Sequence, residues 1–157
     1  MADVPRTTEP TNLDPLPARG RVAFFVVRHE WDGVLRVVVR VPRDAAPNAS
    51  GYPGVAQRTI DRYPGMVAHR CANGHRLGIV HELASTEIAH LFEHVLIEEA
   101  VTHGVPRSEL SGETAWDFGR DGAGVYRVLV RGITSEELAQ QAASAAACAT
   151  GELLVLG

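Results

Sequence analysis

His90, Glu93 and His94 lie within one short segment, Ala89–Ala100 (AHLFEHVLIEEA), and their types and spacing could hold a metal ion. Residues four apart share one face of an α-helix, so the imidazoles of His90 and His94 can converge on a single ion. Glu93 lies on nearly the same face, within reach of a water on that ion. The spacing H-x-x-E-H is the inverted zinc-protease signature, in which two histidines bind zinc and the glutamate is the general base. The pattern therefore predicts a small zinc hydrolase.

The residues around this motif separate the metal site from a chance pattern on a solvated helix face. Phe92 and Leu96, with their neighbours Leu91, Val95 and Ile97, are apolar, which predicts a largely buried helix. Buried imidazole and carboxylate groups cost free energy unless they have partners. Ligation of a metal satisfies all three side chains at once.

Length and composition predict one globular domain. The chain has 157 residues and a net charge of −4, and residues 1–19, rich in proline, are expected to be a flexible lead-in to a single domain over 20–157. Its fifteen basic residues, all arginine, are scattered, so no nucleic-acid partner is expected. No apolar run long enough for a membrane and no secretion signal are visible, which favours the cytoplasm and reduced cysteines.

Hydrophobic periodicity and turn residues predict the elements that position the motif. Strands are expected at 21–29, 34–41, 113–118 and 125–131, with a short strand near 77–80 and an edge strand at 153–156. Helices are expected at 55–63, at 85–103 with a Ser85 or Thr86 cap, and from Thr134 or Ser135 to about 149. The main order, ββααββα, predicts an α+β fold in which helices cover one face of an antiparallel sheet.

Four elements of the chain resemble the N-terminal domain of cyanophycin synthetase. These are His69-Arg70-Cys71, the helix from His90 to Glu98, Gly112-Glu113-Thr114, and the strand Gly124–Val130, followed by the alanine-rich helix 135–149. The resemblance extends from Tyr63 to the C-terminus. The order and spacing of the four elements are more specific than the H-x-x-E-H motif alone. The resemblance implies a domain related to the inverted-motif zinc peptidases (inverzincins), here as a stand-alone protein without the ligase domains of that family. The substrate implied is a peptide or isopeptide, such as cyanophycin-like material rich in Asp and Arg. Departures at Glu99-Ala100 and in 106–111 leave the substrate open.

The sequence offers several residues as the third zinc ligand. Catalytic zinc sites usually have three protein ligands and a water. Cys71 is preferred, since a thiolate is a strong zinc donor and the family places a cysteine at a matching distance. Glu98 is the alternative, although it is better suited to accept a hydrogen bond from a ligand histidine. His69 or an unplaced carboxylate is a further alternative, and Cys148 is expected to be a buried core residue.

The mechanism expected from these parts is metal-assisted hydrolysis with Glu93 as the general base. Oxyanion stabilisation needs a further donor, for which the candidates are Arg120, Tyr126, Arg127 and Arg131. The alternative function is a non-catalytic metal-binding or scaffolding domain that partners a ligase. A zinc lyase similar to S-ribosylhomocysteine lyase is disfavoured because it needs a cysteine ligand well after the helix. Small enzymes of this type often pair, so a homodimer is the hypothesis for the assembly.

Overall fold

The computed structural model describes residues 23–70 and 78–155. Its strands are β1 (Phe25–Trp31), β2 (Val34–Arg40), β3 (Ser111–Trp116) and β4 (Val125–Arg131). Its helices are α1 (Val55–Arg62), α2 (Ile88–Thr102), the short α3 (Phe118–Asp121) and α4 (Glu136–Leu153). Short 3-10 segments occur at Ala49–Gly51, Pro64–Ala68, Ile79–His81 and Arg107–Glu109.

The four strands form one antiparallel sheet in the order β1-β2-β4-β3. Strands β2 and β4 are central, since each pairs with a strand on both sides, and in both of them every second residue is buried on the same face. The buried positions are Leu35, Val37 and Val39 on β2, and Tyr126, Val128 and Val130 on β4. Arginines and partly buried aliphatic residues alternate on the opposite face. The α+β fold with helices packed against an antiparallel sheet is therefore confirmed.

Helix α2 is the central helix of the core. It packs on β3 and β4 on one side and on α4 on another, and eleven of its fifteen residues are buried. The buried face of α4 is lined by alanines, among them Ala139, Ala142 and Ala146, whose small side chains permit close packing against α2. Burial on several sides explains why α2 shows no amphipathic stripe. It also places Glu93 and His94 in the protein interior, with His90 partly exposed beside them.

Several predicted boundaries are corrected by the structure. Ile79–His81 is a 3-10 turn, and Gly78 forms an isolated bridge with Arg70, so no strand runs through 78–80. Helix α4 continues to Leu153, and the described residues 153–155 form no strand, so the predicted edge strand at 153–156 is not found there. Because alanine is the best helix former and Gly151 is tolerated near a helix end, the helix continues beyond position 149. Helix α2 begins at Ile88 with Glu87 as its cap residue and no side-chain cap bond, so neither Ser85 nor Thr86 caps it.

Two further differences concern single elements. Strand β3 begins at Ser111, two residues before the predicted start, and a short helix, α3, replaces the predicted end of that strand. Asp117 caps α3 by accepting a hydrogen bond from the Arg120 amide, a local contact that competes with strand pairing. The Ser135 cap of α4 is confirmed, since its hydroxyl accepts from the Leu138 amide. Among the described residues, no helix has both the length and the hydropathy that membrane crossing needs.

Candidate metal centre

His90, Glu93 and His94 lie together on the face of α2 that meets β3. One donor atom from each side chain lies within 4.8 Å of the other two, an arrangement that could hold a metal ion. The Nε2 atoms of His90 and His94 are 3.0 Å apart, and Glu93 Oε2 is 3.2 Å from His94 Nε2. Glu93 and His94 are buried, whereas His90 is partly exposed. The helical spacing therefore brings the three predicted side chains together.

Glu93 is held against β3 by two features of that strand. The Thr114 hydroxyl donates a hydrogen bond to Glu93 Oε1 at 3.0 Å. Gly112 lies directly beneath the glutamate, and a Cβ at this position would come within 2.9 Å of Glu93 Cγ. Glycine is required there because no side chain fits between the strand and the glutamate. Burial raises the pKa of Glu93 from 4.5 to about 7, against the opposing effect of the Thr114 hydrogen bond.

The outer nitrogens of both motif histidines also have partners. Thr86 Oγ1 lies 2.8 Å from His90 Nδ1, and His69 Nδ1 lies 2.8 Å from His94 Nδ1. These contacts leave the two Nε2 atoms on the side that faces Glu93. Burial lowers the pKa of all three histidines, and that of His94 falls to about 2 with the neighbouring His90 and His69 adding to the effect. The imidazoles are thus neutral at pH 7, which is the state that binds a metal.

A polar chain continues behind His94, away from the cluster. His69 Nε2 lies 2.6 Å from Glu98 Oε1, and Arg107 donates to both Glu98 oxygens at 3.0 and 2.9 Å. Gly65 permits this approach, since a Cβ there would lie 2.2 Å from Arg107 Nη2. With both oxygens engaged, Glu98 supports His94 through His69, and neither Glu98 nor His69 belongs to the three-residue group at the cluster. Sequence reasoning anticipated a supporting role for Glu98 but not the intermediate histidine.

The structure describes some of the other residues that could bind the metal or that the sequence singled out, but not all of them. Cys71, the preferred ligand, lies outside the described residues, so its role stays a prediction. Glu82 Oε2 lies 4.0 Å from His90 Nδ1, the nitrogen that also contacts Thr86, and Glu82 does not belong to the three-residue group at the cluster. Cys148 is exposed, with its thiol 3.4 Å from Glu152 Oε1. The expectation of a buried Cys148 was therefore wrong, because the alanines of α4 face the core and position 148 faces solvent.

The arginines and the tyrosine proposed for oxyanion stabilisation do not reach the cluster. Arg127 forms a two-point ion pair with Asp121, and Arg120 pairs with the same carboxylate. Arg131 lies on the outer sheet face, 3.9 Å from Glu113. Tyr126 lies opposite Trp116 in the sheet, packs with Trp116 and Phe118, and interacts with Glu87 at the start of α2. Strand alternation explains the error, since positions 127 and 131 face away from a helix that packs on the opposite side.

The cluster opens into a cleft of about 630 Å³. Its described lining comes from α2 and from the segments before and after this helix: Ala68, His69, Arg70, Glu93, His94, Ile97, Arg107, Ser108, Leu110, Ser111 and Gly112. Arg70 and Arg107 are the arginines of this lining, and sequence reasoning assigned neither of them a role. Both lie in turn-rich segments where single arginines are common, so composition gave no signal. Only their positions in the folded structure show that these two arginines line the cleft.

Comparison with known proteins agrees with the sequence resemblance. The family model of the cyanophycin synthase-like N-terminal domain matches residues 36–155, a range that includes most of β2 and the segment from Tyr63 to position 155. A search of curated proteins found no match. The family match spans most of the chain, including the complete cluster and the strand that supports it. The chain belongs to the cyanophycin synthase-like N-terminal domain family.

Proposed function

We propose that this protein is a zinc-dependent peptidase or amidohydrolase that cleaves a peptide or isopeptide bond. The observation that carries the proposal is Glu93, a buried carboxylate 3.2 Å from His94 Nε2 at the base of an open cleft. A purely structural metal site needs no such base, because its ligands fill the coordination shell. Family membership supports the fold and is compatible with this chemistry, and the chemistry itself rests on the cluster.

The donor set fits zinc. Two neutral imidazoles whose Nε2 atoms lie 3.0 Å apart can both reach one ion at the usual zinc–nitrogen distance of about 2.0–2.1 Å. A buried carboxylate stands beside them, and a third ligand such as Cys71 would complete a site with one open position. When bound, zinc supplies a Lewis acid that polarises the scissile carbonyl and acidifies a water.

Glu93 is assigned the proton transfers. A base with a pKa near 7 accepts a proton from the attacking water and later delivers it to the leaving nitrogen. Thr114 holds one carboxylate oxygen and leaves Oε2 on the histidine side. The chain His69–Glu98–Arg107 fixes the ring of His94, so that its Nδ1 atom is engaged and its Nε2 atom is available.

The proposed substrate follows from the family to which the chain belongs. The proposed homodimer follows from the small size of the enzyme. Cyanophycin-like material rich in Asp and Arg is the first candidate substrate. A homodimer of this chain is proposed to cleave it in the cytoplasm. We reassign oxyanion stabilisation to the hydroxyl groups of Ser108 and Ser111, which line the cleft, in place of the strand arginines.

Metal content and cleavage test the proposal together. Untagged wild-type protein is expected to hold about one zinc per chain by mass spectrometry, and His90→Ala with His94→Ala is expected to lose it. The matched control replaces His29 and His81, two exposed histidines outside the cluster, and should retain the metal. Zinc-loaded wild type should release new amino groups from β-aspartyl-arginine peptides, and Glu93→Gln should be about 10²–10⁴-fold slower.

The outcomes separate the two functions. Zinc that binds through His90 and His94 without cleavage of any peptide or isopeptide would favour the scaffolding domain. Folded wild type that takes up no zinc on addition would remove the hydrolase proposal. Equal zinc loss in the His29 and His81 control would show that the metal binds histidine unspecifically.

A further inference from the structure

The side chains that line the cleft carry an uneven charge. Its described lining holds two arginines, Arg70 and Arg107, and one acidic residue, Glu93. Ser108 and Ser111 add two hydroxyl groups to the same wall. Guanidinium and hydroxyl groups are donors that carboxylates accept. The cleft is thus furnished for an anion next to the cluster.

The two arginines differ in what they already bind. Arg107 is committed, since its Nε and Nη2 atoms donate to both oxygens of the buried Glu98. Arg70 is exposed, and no hydrogen bond or ion pair of its guanidinium with another described residue is found. Its backbone is anchored, because Arg70 forms an antiparallel bridge with Gly78 and its neighbour His69 receives a hydrogen bond from the Ile79 amide. Arg70 therefore carries its positive charge on the wall from an anchored position of the backbone.

The acidic side of the lining offers no equivalent site for a cation. Glu93 is the single carboxylate among the described lining residues, and the proposed reaction needs it as the base. Glu98, behind the wall, has both oxygens engaged. A guanidinium or ammonium group of a substrate would face Arg70 without a compensating carboxylate, which is unfavourable.

We propose that Arg70 binds a carboxylate of the substrate beside the scissile bond, so that a β-aspartyl-arginine substrate would present its free carboxylate, and not its guanidinium group, to this wall of the cleft. The inference rests on the proposed function for the meaning of "substrate", and it concerns binding alone. A carboxylate can come from a C-terminus or from an Asp or Glu side chain. The planar fork of Arg70 matches either one, and Ser108 and Ser111 are the additional donors.

Binding of four acetylated tetrapeptides to metal-free Glu93→Gln protein tests this assignment without cleavage and without an ion that could take the carboxylate. The probes are Ac-Ala-Ala-Ala-Ala-OH, Ac-Ala-Asp-Ala-Ala-NH₂, Ac-Ala-Arg-Ala-Ala-NH₂ and the neutral Ac-Ala-Ala-Ala-Ala-NH₂, followed by NMR titration. At least one carboxylate peptide should bind about tenfold more tightly than the neutral and Arg peptides, as expected for a charge-assisted hydrogen bond. The free-acid and Asp probes distinguish a C-terminal carboxylate from a side-chain carboxylate.

Two variants assign the preference to its residue. Adding Arg70→Gln should remove the tenfold preference, whereas adding Arg40→Gln, the same charge change at an exposed position of β2 on the outer sheet face, should leave it intact. Equal binding of all four probes, binding of none, or a preference that survives Arg70→Gln would overturn the inference. Cleavage assays on zinc-loaded wild type stand apart, so a failure of the hydrolase proposal is seen separately.

Discussion

Gly112→Ala tests whether β3 sets the position of Glu93. A Cβ at position 112 would lie 2.9 Å from Glu93 Cγ, 3.1 Å from Glu93 Cδ and 3.2 Å from Ile97 Cδ1. All three distances are shorter than ordinary van der Waals contact, and all three atoms belong to the buried helix α2. The methyl group therefore forces the glutamate or the helix to move.

The magnitude follows from two opposing effects. Overpacking of a filled interior costs about 1–3 kcal/mol. Replacing glycine in a strand returns about 0.5–1 kcal/mol by restricting the unfolded chain. We expect Gly112→Ala to lower the free energy of unfolding by about 1–2 kcal/mol. His90 and His94 are not among the atoms that the new methyl meets, so zinc content should stay near wild type.

Urea denaturation of wild type and Gly112→Ala measures the stability, and zinc content and hydrolysis follow in the same preparations. If Glu93 is the base, a displacement of about 1 Å should slow cleavage by about 10²-fold. The matched control is Gly151→Ala in α4, where nothing lies within 4 Å of the added Cβ and alanine should stabilise by up to about 1 kcal/mol. A Gly112→Ala protein as stable as wild type, with unchanged hydrolysis, would refute the steric reasoning.

Three other perturbations address charge and ligation. Because burial raises the pKa of Glu93 to about 7, the contribution of this residue to the stability of the metal-free protein is lost as the pH rises from 4.5 to 7, whereas the buried histidines, whose pKa values are lowered, act in the opposite direction. The difference between Glu93→Gln and wild type isolates Glu93, and the variant should be more stable at pH 8 by about 3 kcal/mol. That advantage should vanish below pH 4.5, and a difference independent of pH would contradict the assignment. Arg107→Met leaves the buried Glu98 without its two-point partner and should cost about 1–3 kcal/mol in urea melts, with part recovered by Glu98→Gln; an additive double variant would show that the pair is not coupled. Cys71→Ser should weaken zinc binding at least tenfold if Cys71 is the third ligand, whereas Cys148→Ser, at an exposed position outside the cluster, should leave it unchanged.

Local patterns in the sequence were enough to predict the helix that carries the chemistry and the two central strands. Helical periodicity places His90, Glu93 and His94 on one face without reference to the remainder of the chain. Strict alternation in Val34–Arg40 and Val125–Arg131 likewise fixes which side chains face the core. Local interactions specify both features, and for that reason they were predictable.

Contacts between segments that are distant in sequence depend on the tertiary structure and could not be predicted from local patterns. The contact of Thr114 with Glu93 spans 21 residues and that of His69 with Glu98 spans 29, and neither follows from a local pattern. The arginines of the cleft were missed for the same reason, because only packing distinguishes Arg70 and Arg107 from the strand arginines that face solvent. Periodicity reports which face of an element is buried, whereas the identity of the partner across that face depends on how the elements pack.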